Sequence, residues 1–177
     1  MEDAPAALDV YGHPDVARWL SPAMDRVEDL GAMRLLLQQW IAEDERTAPP
    51  AGRWAIQRLE DDQVIGGAIL LPLPPGNEDL EFGCQLDPRF WGGGYAGEAS
   101  RAVAGWAFEQ DADEIFAVVR PGNARAAASA RRNGMHWVGE TGKYFGLNLQ
   151  VFRMRSADFH GTAVQEGAPR LTRMDGA

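Results

Sequence analysis

A single cysteine, Cys84, excludes an internal disulfide framework and suits a reducing compartment, which points to the cytoplasm. Long apolar runs are missing too. None reaches the ~18 residues that a membrane-spanning helix needs, and no charged-then-apolar signal segment opens the chain. The formal net charge of -9 argues against nucleic acid as the main partner, since phosphate binding wants clustered Lys and Arg. No repeat is long enough to build a solenoid. What remains is 177 residues, 45% hydrophobic, enough for one domain with a real core and too few for two.

The chain reads as helices first, then strands, then a strand–turn–helix unit that recurs in looser form. Residues 5–20 and 26–45 carry apolar side chains at helical spacing, among them Leu30, Met33, Leu36, Leu37, Trp40 and Ile41. After the break at residues 47–52, two strands, 53–59 and 64–71, form a hairpin across Glu60–Gln63. A third strand covers 80–86. Ala99, Ala102, Val103, Trp106 and Ala107 then make one helical stripe, 115–119 a short buried strand, and Ala124 to Arg132 a helix. Asn123 is placed to cap that helix and Asn133-Gly134 to end it. Segments 136–140 and 149–154 close the fold as a pair. From Ala157 onward the composition turns polar and unpatterned, so the expectation is one domain over 1–156 and a tail over 157–177.

Between the third strand and the next helix lie three successive glycines, Gly92, Gly93 and Gly94. A glycine-rich loop at a helix N-terminus presents backbone N–H groups at the positive end of the helix dipole, a ready anion site. Three in a row exceed what a tight packing turn needs. Gly92, Gly94 and Gly97 also spell the dinucleotide fingerprint, and Arg120 ends the following strand where an NADP site wants a cation. Against that reading, five residues separate strand from glycine, too little chain follows for a doubly wound sheet, and no acid stands ~20 residues on for the ribose. No Gly-Lys-Ser/Thr follows either, which excludes a P-loop.

The wider context is more specific. The stretch EFGCQLDPRFWGGGYAGEA, with VVRPGNARAAASARRNGMHWVGE after it, resembles the GNAT superfamily of acyl-CoA N-acyltransferases. The branch it is most similar to contains the ribosomal-protein N-terminal acetyltransferases, and the resemblance spans roughly Pro14 to Met154. It implies an α/β (α+β) fold: a central mixed, mostly antiparallel sheet flanked by helices, with two strands splayed around the cofactor. It further implies acetyl-CoA as cosubstrate and a primary amine as acceptor. The family's pyrophosphate loop falls on Trp91, Gly92, Gly93, Gly94, Tyr95 and Ala96, with Trp91 standing where many relatives carry Arg or Gln. Arg89 offers a second register for that motif, but it would misplace the strand residues and the Glu98-Ala99 that follow. Cys84, Gln85 and Leu86 are expected to pair through backbone with the pantetheine arm, as a sheet edge accepts a strand. Asn123 matches the family's cofactor-contacting Asn and also fits a plain cap.

The chemistry needs a base for the amine and a donor for the developing oxyanion, the latter expected from backbone N–H groups near Cys84–Leu86. Glu81 is the first candidate for base, with Glu140 and His136 behind it. The positions where relatives carry an acid, Ala126 and Ala130, cannot donate a proton. Ser129 and Tyr144 are the substitutes, and a water can also serve, because a thiolate leaves readily. No metal site is expected.

The branch usually opens with a strand before its first helix, and here that strand is expected to be missing. Its loss would leave 53–59 near an open edge that invites a second copy, hence a homodimer. Trp19 and Trp40 are candidates for the acceptor wall. The reading of choice is an N-acetyltransferase working by direct attack in a ternary complex. The alternative is a non-catalytic acyl-CoA-binding module, which the empty acid positions favour.

Overall fold

The computed structural model describes residues 2–74, 76, 79–144, 146–159 and 170–173. Three helices come first: α1 (Ala4–Tyr11), α2 (Pro14–Leu20) and α3 (Leu30–Asp44). The single helix expected over 5–20 is thus two. Pro14 has no N–H and disfavours helical backbone at the residue before it, so His13 turns extended and becomes the cap of α2, its Nδ1 accepting from the Asp15 N–H at 3.1 Å. Asp29 caps α3 in the same way, accepting from the Ala32 N–H at 2.9 Å.

A seven-stranded sheet follows: β1 (Gly52–Gln57), β2 (Val64–Pro72), β3 (Leu80–Leu86), β4 (Glu114–Val119), β5 (His136–Thr141), β6 (Leu149–Arg155) and β7 (Arg170–Arg173). Their order is β5-β6-β4-β3-β2-β1-β7. Every pairing is antiparallel except β3 with β4, which run parallel and meet only at Glu81 and Phe116. Helix α4 (Tyr95–Glu109) connects β3 to β4, and α5 (Ala124–Arg132) links β4 to β5.

Side chains along a strand alternate between faces, which fixes the layers. Tyr11 of α1 lies over Gly67 and Gln85, whereas Ala99, Val103 and Ala107 of α4 join Ala68, Phe82 and Leu86 in the main core. Neighbours in β2 and β3 therefore serve opposite faces, with α1 on one and α4 on the other. Ala127 and Ala130 of α5 complete the main core, and their small side chains let that helix lie close to β4 and β5. The α4 stripe differs from expectation by one step: Ala104 is buried and Ala102 exposed. Trp106 is partly buried and donates its indole N–H to the Pro50 carbonyl at 2.9 Å. A second core, built on Val10, Tyr11, Met33 and Leu37, binds α1 to α3.

Two described parts of the segment expected as an unpatterned tail from Ala157 pack on the domain, and its other residues lie outside the described ones. Phe159 packs on Phe108 with ring centroids 5.2 Å apart, and β7 pairs with β1 from Trp54 to Gln57. An unpaired strand edge is a template for any segment able to supply backbone donors and acceptors. Here Leu171 adds apolar contact with the main core. The edge of β1 expected to lie open is thus covered over those four residues by the chain's own C-terminal strand. No strand precedes α1 among the described residues. No helix among them is long and apolar enough to cross a membrane.

Candidate active site

The site grows from the parting of β3 and β4. The ladder between them is confined to Glu81 and Phe116, which leaves the rest of the β3 edge without a strand beside it. Backbone alternation decides which groups face that opening. Leu73 N–H bonds Asp79 carbonyl and Asp87 N–H bonds Ile65 carbonyl, so the odd residues of β3 face β2. The N–H and C=O of Cys84 and Leu86 therefore point into the opening, while those of Gln85 do not. Gln85 instead receives the Tyr11 hydroxyl on its Oε1 at 3.4 Å. The backbone pairing expected of Cys84, Gln85 and Leu86 narrows to the two outer residues.

One of their four groups is already used. The Trp91 indole N–H donates to the Leu86 carbonyl at 3.0 Å, which fixes the ring at the end of the opening. A 3-10 turn, Pro88–Phe90, carries the chain there, capped by Asp87 accepting from the Arg89 N–H at 2.9 Å. The glycines follow. Gly92 and Gly94 have φ of +85° and +89°, conformations that side-chain-bearing residues rarely adopt, and a Cβ on Gly92 would point into open space. Gly94 opens α4 with no side-chain cap, so the first N–H groups of the helix from Tyr95 and Ala96 remain for a ligand. Gly93 is pressed by the Tyr95 ring instead. These features fit a phosphate-bearing cosubstrate at Trp91–Ala96.

The second register does not hold. Arg89 gives its Nε to Asp87 at 2.8 Å and an Nη to Asp9 at 2.6 Å, which points it away to α1. At the other side of the opening, Asn123 accepts from the Ala126 N–H at 3.1 Å and so caps α5, leaving its amide NH2 as a donor.

Glu81 stands where the two strands divide. Burial pushes its carboxyl up to about 7, against a hydrogen bond from the Val118 backbone that favours the charged form. The signal in the sequence is only an acid at a strand start; its burial depends on the fork. Cys84 lies further along, and burial pushes its thiol up to about 12, which leaves it an apolar lining group.

The two residues expected as acids, Tyr144 and Ser129, each have a hydrogen-bond partner of their own. The Tyr144 hydroxyl donates to Asp79 Oδ2 at 2.5 Å, with Lys143 on the same carboxylate at 3.2 Å. That bond holds Asp79 below the ordinary carboxylate range, and burial together with Asp79 raises the phenol. Ser129 accepts from the Asn133 amide at 3.4 Å, on the α5 side. His136 and Glu140 are exposed on β5, separated from β3 by β6 and β4. Trp40 packs edge-on to Tyr11 and Trp19 lies under Arg18, both partly buried. No group of three His, Cys, Asp or Glu among the described residues is placed to hold a metal ion.

Sequence reasoning missed Arg125. Its guanidinium carbon lies 3.6 Å from the centre of the Trp91 ring. In the sequence it is one more polar residue of a helix, and only the fold brings α5 to the glycine loop.

Known proteins are similar to this chain in sequence and in fold. The family model of the acetyltransferase (GNAT) domain matches residues 1–136. The uncharacterized protein YkkB of Bacillus subtilis (strain 168) is 34% identical over 101 residues, 55% of this chain and 50% of that protein. The chain thus spans half the length of that relative. The crystal structure of ribosomal-protein-alanine N-acetyltransferase from Brucella melitensis superposes with a TM-score of 0.66 at 24% identity, over 87% of this chain and 94% of that one. Spermidine N-acetyltransferase from Vibrio cholerae, solved in complex with CoA and spermine, gives 0.69 at 13% identity, over 89% and 92%. Likenesses at these identities speak to the fold, and the match over residues 1–136 speaks to the family: the chain belongs to the GNAT acetyltransferases.

Proposed function

We propose that the protein transfers the acetyl group of acetyl-CoA to a primary amine by direct attack in a ternary complex. The observation that carries this reading is Glu81, a half-buried carboxyl with its pKa raised to about 7 at the point where β3 and β4 part. A base poised near neutrality is suited to take the proton of an ammonium group.

The parts support one another. Backbone N–H groups of Gly92 to Ala96 receive the diphosphate at the α4 N-terminus. The N–H and C=O of Cys84 and the N–H of Leu86 receive the pantetheine arm as a sheet edge would a strand. Asn123 adds its amide from the opposite side. The amine nitrogen bonds to the thioester carbonyl carbon, its proton passes to Glu81 directly or through one water, and the carbon–sulfur bond breaks. An N–H of the β3 edge stabilises the oxyanion. The thiolate leaves without a protein acid, consistent with Ala126 and Ala130 at the acid positions and with the Tyr144 proton held by Asp79. Cytoplasmic placement and an amine partner, small molecule or protein, go with this reading.

The test is acetyl-CoA-dependent release of free thiol across a panel of amines: spermidine, an aminoglycoside, free lysine and peptides with N-terminal alanine. Release with one class and not the others identifies the acceptor. Tight binding of CoA with no release for any amine would favour a non-catalytic acyl-CoA-binding module, the reading that the vacant acid positions support.

A further inference from the structure

The glycine loop lacks the basic residue that would offset a diphosphate. Position 91 is Trp, and its N–H is spent on the Leu86 carbonyl. The nearest arginine in the loop's own segment, Arg89, is bound by Asp87 and Asp9. The loop even carries a negative group of its own. Glu98, one turn into α4, sets a carboxylate oxygen 3.6 Å from where a Gly94 Cβ would stand, and its other oxygen is buried without a hydrogen-bond partner among the described residues. Two further phosphate charges arriving here need a counter-charge.

Arg125 is placed against local preference. It stands two residues past the Asn123 cap, at the positive end of α5, where a cation is disfavoured, and the first turn of that helix holds no acid. It has no carboxylate partner among the described residues, yet it is not loose: it lies face-on to Trp91, itself fixed by the Leu86 bond. The stack orders a planar fork of N–H donors beside the glycine loop.

We infer that the Arg125 guanidinium, held against the Trp91 ring, supplies from α5 the cation that meets the diphosphate of coenzyme A. This rests on the reading that the protein binds coenzyme A. Trp91 then acts as a platform: it gives up the charge usual at its own position and orients one brought from another helix. Lys at 125 would keep the charge and lose both the flat stack and the forked donors.

Isothermal titration of wild type, Arg125→Gln and Arg125→Lys with coenzyme A, dephospho-coenzyme A and pantetheine tests the assignment. Arg125 is exposed, so the variants are expected to melt with the wild type. The expected result is a Kd for coenzyme A raised about tenfold in Arg125→Gln, as for loss of one charge-assisted bond, and less in Arg125→Lys. The same ratio should hold for dephospho-coenzyme A, which keeps the diphosphate, and vanish for pantetheine, which lacks it. Equal affinity of wild type and Arg125→Gln for coenzyme A would overturn the inference and leave the acyltransferase reading standing. A loss that disappears with dephospho-coenzyme A would overturn it in favour of the 3′-phosphate. Wild type that binds no coenzyme A at all would remove the parent reading, and the inference with it.

Discussion

Glu81 faces Phe116 at the one point where β3 and β4 pair, and beyond it the two strands go separate ways. The parallel ladder thus begins and ends at a residue whose carboxyl the fold takes partly out of water. Burial raises that carboxyl to about 7, so at neutral pH half of it is ready to accept a proton.

Glu81 should show itself both in rate and in stability. The kcat/KM for the amine should rise with pH through a midpoint near 7, and Glu81→Gln should lower kcat roughly a hundredfold or more while leaving the Kd for acetyl-CoA unchanged. The folded-state pKa lies above the ordinary 4.5, so the folded chain holds this proton more tightly than the unfolded one. Its stabilising contribution is full below 4.5 and is lost as pH rises to about 7. Melting temperatures of wild type and Glu81→Gln should accordingly diverge between about pH 5 and 8, in favour of the variant at the higher pH. Parallel curves would mean that Glu81 is solvated like any strand-end acid.

Direct attack predicts an idle cysteine. With its thiol pushed up to about 12, Cys84 carries almost no thiolate at neutral pH. Iodoacetamide at about pH 8 should leave it unmodified in the folded protein, and Cys84→Ala should keep kcat within about threefold. An acetylated Cys84 trapped by mass spectrometry after acetyl-CoA alone would replace the ternary complex with a covalent route.

Tyr144 should matter for stability and not for turnover. Its hydroxyl bonds a charged carboxylate, an interaction worth about 1.5–3 kcal/mol. In a chain of this size Tyr144→Phe should lower Tm by several degrees, at about 2–4 °C per kcal/mol, with kcat at saturating substrates nearly unchanged. A fall in kcat of a hundredfold with Tm preserved would instead make Tyr144 the general acid.

How far the sequence reached depends on whether a feature is local. The glycine loop is local: three glycines, a strand before and an amphipathic helix after state its geometry, and Gly92 and Gly94 do take positive φ. The Asn123 cap and the Asn133-Gly134 stop are local as well, and both stand in α5. The break at Pro14 is equally local, with its signal in Gly12 and Pro14. Arg125 on Trp91 is not local. Thirty-three residues lie between the two, and neither helix pattern nor motif says that α5 begins beside the loop. The four residues of β7 carry only Leu171 as an apolar signal, too little for a strand to be read until the uncovered edge of β1 is known. Glu81 lies between these cases: its position is a motif, but its raised pKa is a property of the fork.

Arg120 illustrates the same limit and gives the last prediction. In the sequence it is a cation at a strand end and invites a phosphate. In the structure its guanidinium donates to the carbonyls of Arg18 at 2.9 Å and Ser21 at 3.0 Å, at the C-terminal end of α2, where backbone carbonyls lack helical partners and the dipole favours a positive charge. It therefore ties the end of β4 to the helix that carries Trp19, on the side expected to receive the amine. Arg120→Ala should raise KM for the amine several-fold and leave the Kd for coenzyme A unchanged, because no phosphate contact is lost. Steady-state kinetics with each substrate varied in turn separates the two effects. A weakened coenzyme A affinity with an unchanged amine KM would return Arg120 to the phosphate side and detach α2 from the acceptor site.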